Sequence, residues 1–200
     1  MSAVLDYLFE SKAKARLLRF FLLNFEREYT VSELAKRNIL QNSQVRKELA
    51  NLKRIRFVIE RHKGREKHYL LNKGFALYPE LRNLIVKSNV YPQTQSLAKV
   101  KSIGDVKLAL VSGIFLNYPK SKADIVLIVN NVNRARLRKF MNNLEAEIGK
   151  EVSYVLMNSD EFKYRLDMLD RFLLDFLESP HDEIVNRIPG LRRLIMGLKK

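Results

Sequence analysis

Gln44, Arg46, Lys47 and Asn51 fall within about two turns of one another if the chain around them is helical. Each has chemistry suited to flat, hydrogen-bonding edges or to anions. A Gln or Asn amide can donate and accept at once, as the edge of adenine requires, and an Arg fork matches guanine. Val45, Leu49 and Leu52 recur at i, i+4 and i+7, so a helix buried on that stripe turns those four polar residues outward. A solvated helix face would have the same composition. A little further on, Arg61, Lys63, Arg65 and Lys67 alternate through a short segment and are candidates for pairing with phosphate. Thr30 and Ser32 are further candidates, because amides and dipole at a helix N-terminus favour an anion.

The elements that must position these groups can be read from the pattern. Ala13 to Asn24 is predicted helical, with Ala15, Leu18, Phe21 and Leu22 on one side and Arg16 and Arg19 on the other. Thr30 and Glu33 form a capping-box pair that opens a short helix, Val31 to Arg37. Asn38 to Asn42 makes a turn, and Ser43 is the expected cap of the helix that carries Val45, Leu49 and Leu52. The period then changes from helical to two. Phe57, Ile59 and Arg61 alternate with Val58, Glu60 and His62, Gly64 makes a turn, and Lys67, Tyr69 and Leu71 alternate with His68 and Leu70, which predicts a hairpin.

Other chemistries are limited by what is absent. The 200 residues contain no cysteine, which excludes disulfide frameworks, thiol nucleophiles and cysteine-ligated metal. The three histidines are His62, His68 and His181. The first two could meet across the hairpin, but without a third ligand they make a poor metal site, so phosphate or solvent contact is preferred and no metal or cofactor is expected. No Ser-His-Asp arrangement and no phosphate-cradling glycine-rich loop is present.

Lys and Arg number 37 against 22 Asp and Glu, a formal charge of +15 with a pI near 10.0. An apolar fraction of 46% is enough for packed cores. No apolar run approaches the roughly 18 residues that span a bilayer, and Asp6 and Glu10 lie where a secretory signal would be basic and then apolar, so a cytoplasmic protein without a membrane partner is expected. Residues 1–88 hold 19 basic against 9 acidic side chains, and the rest hold 18 against 13. A domain boundary is placed at the proline-broken polar stretch around Pro92, giving a first domain 1–88, a linker 89–94 and a second domain 95–200.

The second domain alternates helices and strands. Lys107 to Ser112, Ile125 to Val129 and Val152 to Met157 are predicted strands, and Arg134 to Gly149 is a predicted helix. Glu161 to Glu178 is predicted as one further helix, with a core stripe of Phe162, Leu166, Leu169, Leu173, Phe176 and Leu177. Pro189 to Lys200 puts Leu191, Leu194, Ile195 and Leu198 on one side, suiting a small helix that closes the core or a dimer seam. The fold class is therefore α+β, in two domains.

The run from Thr30 to Asn72, TVSELAKRNILQNSQVRKELANLKRIRFVIERHKGREKHYLLN, resembles the winged helix-turn-helix of regulators of the arsenical-repressor type. The resemblance implies a second helix lying in the major groove, with Ser43, Gln44, Arg46, Lys47 and Asn51 near base edges and phosphates, and a basic wing beside it. The segment VKLALVSGIFLNYPKSKADIVLIVNN is similar to the core of the minimal nucleotidyltransferases, a family whose two metals need paired carboxylates. Mapped here, Gly113 stands at the family's glycine, but Ile114 replaces its serine. Asp124 keeps the first acid and Val126 replaces the second. One carboxylate cannot bridge two metal ions that hold a triphosphate, so nucleotidyl transfer is expected to be lost and Asp124 to be structural.

These features together predict a sequence-specific regulator of transcription that binds double-stranded DNA. A homodimer is expected, with the degenerate second domain serving dimerisation or a protein or ligand partner. The alternatives are an active nucleotidyltransferase targeted by its winged helix, and an antitoxin-like interaction protein.

Overall fold

The computed structural model describes residues 9–87 and 96–191. The expected linker at 89–94 and the C-terminal segment from 192 onward lie outside the described residues. The chain is mixed α+β with two separate sheets. It divides into two compact units, one of residues 1–94 with 142–151, the other of 95–141 with 152–200.

The first unit begins with α1, Lys12–Leu23, whose N-cap Ser11 accepts from the Lys14 amide at 3.1 Å. Ser11 Oγ in turn donates to Glu48 Oε1 at 2.8 Å. A two-residue strand, β1 (Tyr29–Thr30), leads into α2, Val31–Asn38, which opens on the expected capping box. Ile39 takes a left-handed conformation, φ 51°, and lets the chain reverse into α3, Asn42–Arg54. The hairpin follows: β2, Val58–Lys63, and β3, Glu66–Leu71, pair antiparallel around the left-handed Gly64, and β1 joins the free side of β3. The last helix of this unit, α4, is Tyr78–Lys87.

The apolar stripes of all these elements meet in one core. Leu17, Phe21, Leu34, Val45, Leu49, Phe57 and Leu71 are almost wholly removed from water there. The Phe21 and Phe57 rings pack edge to face at 6.5 Å. Two details depart from the sequence expectation. Arg19 is 2% exposed rather than solvated, because residues 142–151 cover that side of α1 and the Glu147 carbonyl accepts from its guanidinium. Ser43 does not cap α3. The cap is Gln41, whose N–H donates to Gln44 Oε1 at 3.1 Å.

The second unit is built on a four-stranded sheet. Its strands are β4 (Asp105–Val111), β5 (Ile125–Asn130), β6 (Tyr154–Met157) and β7 (Asp182–Asn186), in the order β6-β5-β4-β7. β5 is antiparallel to β4 and parallel to β6, and α5, Arg134–Ile148, makes the connection that a parallel pair requires. Every residue of β5 from Ile125 to Val129 is buried, which is why that strand reads as an unbroken apolar run. β7 had no expectation from sequence.

The single helix expected from Glu161 to Glu178 is two: α6, Ser159–Asp167, and α7, Arg171–Glu178. Leu169 adopts a left-handed φ of 53°, and Asp170 caps the new helix by accepting from the Leu173 amide at 2.9 Å. Leu169 is consequently 56% exposed, whereas the other members of the expected stripe, Phe162, Leu166, Leu173, Phe176 and Leu177, are buried together with Leu108, Leu110 and Val126.

Candidate nucleic-acid interface

α3 turns Val45, Leu49 and Leu52 into the core and leaves Ser43, Gln44, Arg46 and Lys47 exposed, with Asn51 half-buried at its flank. Arg46 and Lys47 have no carboxylate partner among the described residues. Two of the amides are partly committed already. Gln44 Oε1 accepts from the Gln41 N–H, and Asn51 Nδ2 approaches the inward-turned Glu48 at 3.5 Å. Gln44 can therefore offer its amino group but not an unoccupied carbonyl.

Thr30 and Ser32 open α2. Ser32 is exposed, but Thr30 is tied up by the capping box: its hydroxyl donates to Glu33 Oε2 at 3.0 Å and accepts from the Glu33 amide at 3.3 Å. The Thr30 N–H also donates to that carboxylate, and this bond holds the Glu33 carboxyl below its usual range, helped by the Thr30 hydroxyl and opposed by burial. The negative Glu33 occupies the place where an anion would approach Thr30.

The hairpin brings Arg61, Lys63, Arg65 and Lys67 together with carboxylates that the sequence did not connect to them. Glu28 Oε1 lies 2.8 Å from Arg61 and its Oε2 lies 2.8 Å from Lys63. Glu60 lies 2.8 Å from Lys53, 3.0 Å from Lys67 and 3.2 Å from His62. Hydrogen bonds from Lys53 and Lys67 push the Glu60 carboxyl down to about 2, and the Lys63 ammonium, with Arg61, lowers Glu28. Arg65, at the tip, is exposed with no such partner among the described residues.

His62 is opposite Lys67 in the ladder and His68 is opposite Arg61. Adjacent rungs point to opposite faces, so the two imidazoles do not face each other. Among the described residues no group of three or more His, Asp or Glu could hold a metal ion.

In the second unit Gly113 and Asp124 meet at one end of the β4–β5 pair. Gly113 has φ 53°, and a Cβ there would overlap Asp124 Oδ1. That oxygen accepts from the Ile114 amide at 2.9 Å, and Oδ2 accepts from the amide and hydroxyl of Ser153 at 2.8 and 2.7 Å. The carboxylate accepts three hydrogen bonds and so joins three segments of chain. Val126 is wholly buried among Leu108, Leu110 and Phe162. An acid there would place its charge in the apolar core.

No protein-family model matches the chain, and no curated protein does. A solved structure of reduced HlyU from Vibrio cholerae N16961 is similar. It is 22% identical, covers 46% of this chain and 90% of that one, and has a TM-score of 0.34. A likeness at that score adds nothing to the geometry above.

Sequence reasoning missed two sets of residues. Arg54 is exposed and falls on the line of Ser43 and Lys47, four and eleven positions along the helix; the helical period alone could have found it. Glu28 and Glu60 act through strand pairing, and no local spacing signals them. Among the described residues no helix is long and apolar enough to cross a membrane.

Proposed function

We propose that the chain is a sequence-specific, double-stranded-DNA-binding regulator of transcription, with the first unit a winged helix-turn-helix. α3 enters the major groove, and the β2–β3 hairpin is the wing that follows the adjacent phosphates. The observation that carries this reading is the two-sided character of α3. Its inner side is closed by Val45, Leu49 and Leu52, and its outer side presents Ser43, Gln44, Arg46, Lys47 and Arg54, directly after a capped helix and a tight left-handed turn. A net +10 on residues 1–88 supplies the attraction to a polyanion.

One such helix spans a short half-site, so a homodimer reading two half-sites is the natural functional form. In this reading the second unit, whose sequence carries the nucleotidyltransferase-like segment, serves dimerisation or a protein or ligand partner and transfers no nucleotide. Favouring that view over an active transferase, the one retained acid, Asp124, is occupied by three donors and Val126 lies in the core.

The test is selection of bound duplexes from a random pool. A palindromic motif is expected to emerge, and Arg46→Ala with Lys47→Ala should abolish its enrichment. A pool that stays random, or unchanged gel-shift affinity in that double variant, would overturn the reading.

A further inference from the structure

Three cations of the hairpin, Arg61, Lys63 and Lys67, and Lys53 of α3 form two groups, each gathered on one carboxylate. Glu60 is opposite Tyr69 and His62 is opposite Lys67, so Glu60, His62 and Lys67 share a face of the hairpin, the one toward the last turn of α3, from which Lys53 reaches in. Arg61 and Lys63 are opposite His68 and Glu66 on the other face, where Glu28 binds both. The carboxylate side chains are only 11% and 15% exposed, while the cations they hold are 54 to 62% exposed. A phosphate arriving from solvent therefore meets four cations, each already shared with an anion beneath it.

We propose that Glu28 and Glu60 are a built-in brake on duplex-DNA binding by this unit, holding Arg61, Lys63, Lys53 and Lys67 in place while reducing the charge each offers to phosphate. The inference rests on the DNA-binding reading above and adds how affinity is set at the same surface. Much of the affinity of a basic protein for duplex DNA comes from the counterions its cations displace, in proportion to the phosphates they neutralise. A cation shared with a carboxylate neutralises less of a phosphate and displaces fewer ions. The carboxylates lower non-specific affinity in this way without removing the cations, which leaves discrimination to the unpaired side chains of α3.

The test compares the full-length chain with Glu28→Gln, Glu60→Gln and the double variant. Anisotropy of a short random-sequence duplex is measured across a salt series, and thermal melting confirms folding. The double variant should bind about tenfold more tightly, with the slope of log K against log salt steeper by about 1 to 2. Each single variant should give part of the effect, so the comparison survives if the double variant folds poorly. Adding Arg61→Gln and Lys63→Gln to E28Q should remove that variant's gain. A control, Glu26→Gln with Glu80→Gln, changes net charge equally at exposed carboxylates that form no ion pair with these cations and should leave the slope nearly unchanged. A slope in E28Q/E60Q equal to that of the natural chain, or matched by the control, overturns the inference alone. No duplex binding by any of the chains overturns the DNA-binding reading and the inference with it.

Discussion

Asp124 and Ser153 hydrogen-bond each other in both directions. The Asp124 N–H donates to Ser153 Oγ at 3.0 Å, and the Ser153 N–H and hydroxyl donate back to Asp124 Oδ2 at 2.8 and 2.7 Å. With the Ile114 amide on the other carboxylate oxygen, one side chain fastens the start of β5 to the loop after β4 and to the chain entering β6. Hydrogen bonds to an ionised group contribute about 1.5 to 3 kcal/mol each, and removing the acceptor leaves two backbone donors unpaired. Asp124→Ala should therefore lower stability by about 3 kcal/mol in urea unfolding, and Ser153→Ala by about 1 kcal/mol. Mg²⁺ or Mn²⁺ should leave the melting temperature of the natural chain unchanged, whereas a metal-holding Asp124 would make it rise.

What could be read from the sequence was what local chemistry decides. Thr30 and Glu33 are three residues apart and their cap needs nothing from the rest of the chain, so it forms as expected. The stripe of Val45, Leu49 and Leu52 is equally self-contained, and β5 is too uniformly apolar to be anything but buried. Errors came where two local options compete or where partners are distant. Gln41 and Ser43 could each begin α3, and the bond from the Gln41 N–H to Gln44 Oε1 favours Gln41. β7 was invisible because only Val185 of its five residues is buried, so there is no apolar alternation to see. Glu28 stands 33 residues from Arg61, and only the pairing of β1 and β2 on either side of β3 brings them together.

Leu169 shows why periodicity alone misled at the α6–α7 break. It continues the spacing of Leu166 and Leu173, yet it sits at φ 53° and is 56% exposed. A branched side chain in the left-handed region costs about 1 kcal/mol, and glycine there does not carry that cost. Leu169→Gly is expected to stabilise the protein by up to about 1 kcal/mol, read as a rise in melting temperature, because little packing is lost. Asp170→Ala should act the other way, lowering stability by about 1 kcal/mol through loss of the cap on Leu173. A continuous helix through 161–178 would reverse the sign for Leu169→Gly.

Glu60 carries a pH dependence of definite sign. Lys53 and Lys67 lower its carboxyl from the ordinary 4.5 to about 2, so the unfolded chain takes up this proton at a higher pH than the folded one. The pairing therefore contributes stability in full above pH 4.5 and loses it as pH falls toward 2. Carboxyl NMR should place the Glu60 titration near the bottom of that window. Lys53→Gln with Lys67→Gln should move it back up toward 4.5 and flatten the loss of stability on acidification. A midpoint near 4.5 in the natural chain would show that the ion pairs do not persist in solution.

Arg54 and Lys53 are neighbours at the end of α3, yet they should behave differently toward DNA. Arg54 lies on the exposed line through Ser43 and Lys47 and has no carboxylate partner among the described residues, whereas Lys53 is held 2.8 Å from Glu60. If Arg54 contacts one phosphate, Arg54→Ala removes about 0.9 from the magnitude of the slope of log K against log salt. Lys53→Ala should remove clearly less, because its charge is already largely balanced. Both variants are expected to keep the selected DNA sequence, since neither change alters Gln44, Arg46 or Lys47. Equal slopes for the two variants would mean that the Lys53–Glu60 pair opens on binding at no cost, leaving proximity to the groove as the only determinant of which cations contribute.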